Sequence, residues 1–198
     1  MDELSPEVQL RQRLMLAGEV SPRSPFALDW SGAREAAVLL AVMQREAGST
    51  VLLTRRSDEL PHHAGQISLP GGRVEAGDKS VVDTALREAM EEVGLAANRV
   101  ETLGHFGPFQ TGTGFIVHTV LGLVAEPPLL TPDPREVADV VELPLAVALD
   151  PCAYQPHLLR RGERTYSGFA IDFEGHRIWG ATACILRCLM ESTLRAER

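Results

Sequence analysis

Basic residues are in short supply in this 198-residue chain, with 19 lysines and arginines against 27 aspartates and glutamates and a net charge of -8. That balance excludes a general binder of nucleic acid or of membrane surfaces, since both depend on basic patches. Long hydrophobic runs are missing too, none reaching the roughly 18 to 20 apolar residues that cross a bilayer. The first residues, MDELSPEVQLRQRLM, carry acids and no signal-peptide core. The expectation is a cytoplasmic protein with no membrane partner. Cysteine is scarce: Cys152 is alone, and Cys184 and Cys188 stand at i and i+4 in an apolar run with no histidine nearby. Such thiols read as small core residues, not as a disulfide framework or a zinc set. Repeats and low-complexity segments are absent. What remains is an ordinary globular composition, 44% hydrophobic and 23% charged, in a chain long enough for one substantial domain.

The stretch GGRVEAGDKSVVDTALREAMEEVGL, residues 71–95, carries the chemistry. Ser80 and Asp83 have the form of a capping box, and Gly94 suits the position just past a helix end. Val82, Ala85, Leu86, Ala89 and Val93 form an apolar stripe, so the spacing predicts a helix over 81–93. Glu88, Glu91 and Glu92 then share one side, where like charges cost about 0.2 to 0.5 kcal/mol per pair. A cation should offset them. Hard divalent ions take oxygen ligands, and Mg²⁺ is usually held by carboxylates together with substrate phosphates. Arg87 opens the cluster, positioned to pair with Glu91 or to hold a neighbouring loop. Upstream, Pro70, Gly71 and Gly72 give a backbone that can approach a ligand closely. A plain solvated acidic face is the alternative for such a cluster.

These residues resemble the Nudix box, with Gly72, Arg87, Glu88, Glu91, Glu92 and Gly94 matching it in kind. Asp78 stands where the box has its first glutamate, and eight residues instead of seven separate it from Arg87. The segment LLTRRSDELPHHAGQISLPGG, residues 52–72, resembles the signature that precedes the box in Nudix enzymes acting on coenzyme A. It departs at Pro61, where an arginine is usual, and at Leu69, where phenylalanine is usual.

Along the rest of the chain, residues 4–17 read as a short amphipathic helix stopped by Gly18, followed by a linker at Pro22 and Pro25. Segments 36–43 and 50–54 read as a hairpin. Strands are expected at 100–106 and 115–124, joined by the glycine-rich loop GPFQTGTG, and an alternating strand follows TPDPRE. Segments 166–173 and 176–179 make a second hairpin around Glu174 and Gly175. A helix over 181–194 closes the chain, and Trp179, Gly180, Thr182 and Ala183 resemble the family's entry to it. The expected organisation is an N-terminal helix and linker over 1–34 and a catalytic domain over 35–198. The resemblance implies an α/β fold, an α/β/α sandwich around a central mixed β-sheet.

It also implies a metal-dependent hydrolase that uses Mg²⁺ or Mn²⁺ to cleave the diphosphate of coenzyme A or acyl-CoA. The products would be adenosine 3′,5′-bisphosphate and a phosphopantetheine. Glu88, Glu91 and Glu92, with the carbonyl of Gly71 or Gly72, would hold the metal. Arg87 and the glutamates form the catalytic group, with Glu136 or Glu91 accepting a proton. Arg55, Arg56, Ser57, His62, His63 and Gly65 line the expected phosphate side, and Phe115 is placed to stack on a base or to pack in the core. ADP-ribose, NADH or another nucleoside diphosphate derivative is the alternative substrate, and a silent nucleotide-binding regulator the non-enzymatic alternative. The partner is a small nucleotide substrate, and a homodimer is left open.

Overall fold

The computed structural model describes residues 6–18, 32–112, 114–161 and 164–196. In chain order these form α1 (Pro6–Gly18), β1 (Arg34–Met43), β2 (Thr50–Arg56), β3 (Ile67–Ser68), β4 (Gly71–Arg73) and α2 (Val81–Val93). There follow β5 (Glu101–Gln110), β6 (Phe115–Val124), β7 (Val137–Pro144), α3 (Leu145–Ala148), β8 (Gln155–Arg161), β9 (Arg164–Phe173), β10 (His176–Trp179) and α4 (Ala181–Ala196). The linker expected at Pro22 and Pro25 lies outside the described residues.

β1 is the axis of the main sheet. It runs parallel to β6 from the pair Arg34 and Phe115 to the pair Met43 and Val124. Ala37 and Leu39 to Met43 are fully buried, as expected for a strand covered on both faces, and this explains why its sequence is a continuous apolar run. One face packs on α2 through Ala37, Leu39, Ala41, Leu52 and Val120 against Ala85, Ala89 and Val93. The other carries Leu40, Val42, Leu53 and Leu121 under Leu14 of α1 and Leu186, Leu189 and Met190 of α4. This is the expected three-layer arrangement, with mixed parallel and antiparallel pairing.

The hairpin of β1 and β2 is paired only at Val42 with Val51 and Met43 with Thr50. Beyond that point the strands part, and residues 67–73 fill the gap. Ile67 and Ser68 pair with β2, Gly71 to Arg73 pair with β1, and the Leu39 N–H donates to the Pro70 carbonyl at 2.8 Å. β7 covers the far side of β2. The last three strands form a separate sheet, β10-β9-β8, and the helix that follows it, α4, is fastened to β3 where the Thr182 hydroxyl donates to the Ile67 carbonyl at 3.2 Å.

One expectation is corrected and one is extended. The first half of the loop GPFQTGTG is strand: β5 continues to Gln110 through two slips of register against β6, and a short turn follows, in which the Thr111 amide bonds the Phe115 carbonyl. The second hairpin forms as expected, with β9 and β10 paired from Phe173 with His176, and β8 extends it to three strands by pairing along β9 from Gln155 with Ala170 onward.

Candidate active site

α2 is built as its sequence requires. The Ser80 side chain accepts the Asp83 N–H at 3.2 Å, and Asp83 in turn accepts the Lys79 N–H at 3.1 Å. At the other end Gly94 adopts a left-handed φ of 71° and its N–H bonds the Met90 carbonyl. The carbonyls of Glu92 and Val93 accept the N–H groups of Asp133 and Thr131. The loop before β7 therefore caps the helix that carries the glutamates, and that loop also carries Glu136.

Arg87 ties the first half of the stretch together. Its Nε and Nη2 donate to the two oxygens of Asp78 at 3.1 Å each, Nη2 also to the Arg73 carbonyl, and Nη1 to Glu88 and Glu91 at 2.9 Å. Asp78 also accepts from the Thr84 hydroxyl at 2.8 Å and the Glu75 N–H at 2.9 Å. The Arg87 guanidinium, with these bonds, holds the Asp78 carboxyl far below its ordinary value, and Asp78 in turn raises Arg87. Both alternatives open to Arg87 are realised at once: it pairs with Glu91 and it fastens the loop.

Glu92 is the unusual group. Its residue is 3% exposed, and Oε2 is buried with no hydrogen-bond partner. Burial pushes its carboxyl up to about 8, against the lowering effect of Arg56, while Glu88 and Glu136 raise it further. Glu88 is also raised, first by burial, with Arg87 opposing and Glu91 and Glu136 reinforcing. Glu88 lies against Gly72 so closely that a Cβ there would stand 2.5 Å from the Glu88 carboxyl carbon. A side chain at this position and that carboxylate exclude each other.

The fold brings the remaining sequence candidates to the same end of the sheet, where β2 ends and β1, β6 and β7 begin. The Ser57 N–H donates to the Glu136 carbonyl at 2.8 Å, and Ser57 itself is buried with its hydroxyl turned to the Glu59 amide at 3.4 Å. The β2–β7 ladder slips between Arg55 and Arg56, an irregularity of the kind that re-aims a side chain. Arg55 pairs with Asp58 at 3.1 Å. Arg56 instead acts on Glu92, and its Nε is buried without a partner. Gly65, at φ 68°, closes the 57–66 turn by donating to the Arg56 carbonyl. His63 bonds Gln66 at 2.8 Å, and His62 is exposed.

Phe115 is half-buried and its ring carries two guanidinium groups, Arg34 at 4.3 Å and Arg73 at 5.4 Å from the centroid. Neither arginine belongs to a spacing pattern that sequence reasoning could use. Only the pairing of β4 and β6 with β1 joins them.

Among the described residues no three carboxylate, imidazole or thiolate groups already converge at ligating distance.

A NUDIX domain model matches residues 33–161. The chain is 39% identical over 161 residues to a protein of Yersinia enterocolitica named Nudix hydrolase NudL, covering 81% of this chain and 82% of that protein. A Photorhabdus laumondii protein of the same name is 40% identical over 161 residues, covering 80% and 84%. Among solved structures, a MutT/nudix family protein from Enterococcus faecalis aligns over 98% of this chain and 76% of that one, with a TM-score of 0.52 and 17% identity. A Deinococcus radiodurans protein aligns over 82% and 88%, with a TM-score of 0.51 and 19% identity. These likenesses concern the fold.

Proposed function

The chain belongs to the Nudix family of hydrolases, and on that premise we propose that it cleaves the diphosphate of coenzyme A or an acyl-CoA. The observation that carries the hydrolytic half is Glu92: a carboxylate buried beside Glu88 and Glu136, with one oxygen unpartnered, is costly unless a cation completes it. Support for the coenzyme A half comes from residues 52–72, whose Leu52, Leu53, Thr54, Arg56, Ser57, Gly65, Pro70, Gly71 and Gly72 resemble the signature of enzymes acting on that substrate.

Nudix hydrolases generally use divalent ions such as Mg²⁺ or Mn²⁺, and the oxygen donors here fit. Glu88, Glu91, Glu92 and the Gly72 carbonyl would hold them. When bound, the ion neutralises diphosphate charge and lowers the pKa of a water. Glu136, on the loop fastened to the end of α2, takes the proton of the attacking water. An oxygen–phosphorus bond forms as the bridging bond breaks, releasing adenosine 3′,5′-bisphosphate and a phosphopantetheine. Arg56, beside Glu92, faces the diphosphate. Arg87 positions, since its contacts are already committed to Asp78, the Arg73 carbonyl and two glutamates.

Steady-state kcat/KM for coenzyme A, dephospho-coenzyme A, ADP-ribose and NADH, with Mg²⁺ and with Mn²⁺, tests the assignment. Coenzyme A should lead. Faster turnover of ADP-ribose or NADH would transfer the chain to the nucleoside diphosphate derivatives, and no turnover of any would leave a nucleotide-binding regulator.

A further inference from the structure

Arg34 and Arg73 come from the start of β1 and the end of β4, yet both guanidinium groups lie over the ring of Phe115 at the start of β6. Both residues are exposed. Neither has an ion-pair partner among the described residues, in a chain whose acids outnumber its bases. Two cations held at one ring repel each other. Cation–π attraction offsets this only in part, at about 0.5 to 1 kcal/mol for an exposed site. An anion that accepts from both planar forks would complete the arrangement, and a phosphate matches guanidinium geometry with two oxygens at a time.

The position gives this pair its meaning. Arg73 directly follows Gly72, which faces Glu88, and the Arg73 carbonyl accepts from Arg87 at 3.0 Å. Along a strand successive side chains point to opposite faces. Gly72 therefore fronts the glutamates while the Arg73 side chain turns to the other face, beside Arg34 and Phe115. A phosphate held at the ring would be a group separate from the scissile diphosphate. Arg55 of β2 and His63 of the 57–66 turn are less free for it, since Arg55 is paired with Asp58 and His63 with Gln66.

We propose that Arg34 and Arg73, held by Phe115, bind a non-scissile phosphate monoester of the substrate and so set its specificity. This rests on the coenzyme A assignment only for the identity of the molecule that bears that monoester. The test is calorimetry in EDTA, comparing adenosine 3′,5′-bisphosphate with AMP on the wild-type protein and on the Arg34→Gln/Arg73→Gln double variant. Wild type should favour the bisphosphate by about tenfold to a hundredfold, the range of a charge-assisted hydrogen bond. The double variant should lose that preference, and Arg73→Lys should restore part of it. Arg34→Gln alone, at the exposed start of β1, keeps the question decidable should the double variant melt early.

A preference that survives removal of both guanidiniums, or a wild type without any, overturns the proposal. A protein that keeps the bisphosphate preference yet hydrolyses no coenzyme A retains this anion site and loses the proposed substrate. One that hydrolyses coenzyme A with no preference for the extra phosphate loses the anion site alone.

Discussion

Arg87 grips Asp78 with two parallel hydrogen bonds of 3.1 Å, Nε to Oδ1 and Nη2 to Oδ2, across the turn that leads into α2. The pairing spans the extra residue in that turn and leaves the helix and its glutamates in register.

Asp78→Asn should loosen this turn. Because Arg87 holds the Asp78 carboxyl well below its ordinary value, the stabilisation is present above the unfolded value near 3.8 and is lost as pH falls through that range and below. The variant should melt lower than wild type at pH 7, and the gap should narrow toward pH 3. Thermal denaturation across that range checks it; a gap that is constant with pH would show that the ion pair contributes nothing.

Glu92→Gln is expected to raise stability without metal while abolishing hydrolysis. The folded chain holds the Glu92 carboxyl at about 8, whereas in the unfolded chain it titrates near its ordinary value. The group's contribution is therefore full below about pH 4.5 and disappears as pH rises through 8. In EDTA at pH 8 the variant should melt several degrees above wild type, the difference shrinking at pH 5, with a magnitude of a few kcal/mol. Equal melting at both pH values, or a tenth of wild-type turnover retained, would refute the role given to Glu92.

Gly72→Ala and Gly71→Ala should fail in different ways. At Gly72 the added Cβ meets only the end of the flexible Glu88 side chain, so the protein should fold and melt near wild type in EDTA. Millimolar Mg²⁺ or Mn²⁺ should raise the melting temperature of the wild type by mass action, and in Gly72→Ala that rise should be largely lost. At Gly71 the Cβ would stand 2.6 Å from Val38 Cα, part of the β1 backbone, and the cost should appear as about 1 to 3 kcal/mol of lost stability with or without metal. Melting curves of both variants, taken with and without the ion, separate the two.

Glu136→Gln should lower kcat by about 10² to 10⁴ with little change in KM, the range for loss of a general base. Glu91→Gln should cost less, because the Glu91 side chain is 54% exposed and leans on Arg87. If the two variants rank in the opposite order, the proton passes to Glu91.

Much of the fold and of the acidic site was legible because each rested on local order. The helix of residues 81–93 came out at its observed bounds, since Ser80, Gly94 and the apolar stripe all point to the same ends. β1 and β6 were legible as long apolar runs. β3 and β4 were not, because two or three residues cannot show a period, and they are strands only because β1 and β2 part around them. β5 was cut short by Gly107 and Pro108, which read as a turn, whereas they are a slip of register beyond which pairing with β6 resumes at Phe109 with Val117. β8 carries Pro156 and paired arginines, and its partner β9 alone makes it a strand. The same limit applied to the site. Glu88, Glu91 and Glu92 share a helix and could be grouped from spacing, whereas Arg34, Arg73 and Phe115 meet only through sheet pairing.

The capping of α2 by Thr131 and Asp133 also fixes when the site can first exist. The glutamate helix is made early in the chain, but its last carbonyls, the hold on Ser57 and the carboxylate of Glu136 all wait for the segment before β7, and β1 waits for its parallel partner β6. Contacts of such sequence separation are slow to form and cannot be made by a chain still missing one side. A nascent chain that stops short of Glu136 should therefore bind divalent ions no better than a loose acidic peptide, and metal affinity should rise in one step once β7 has left the ribosome.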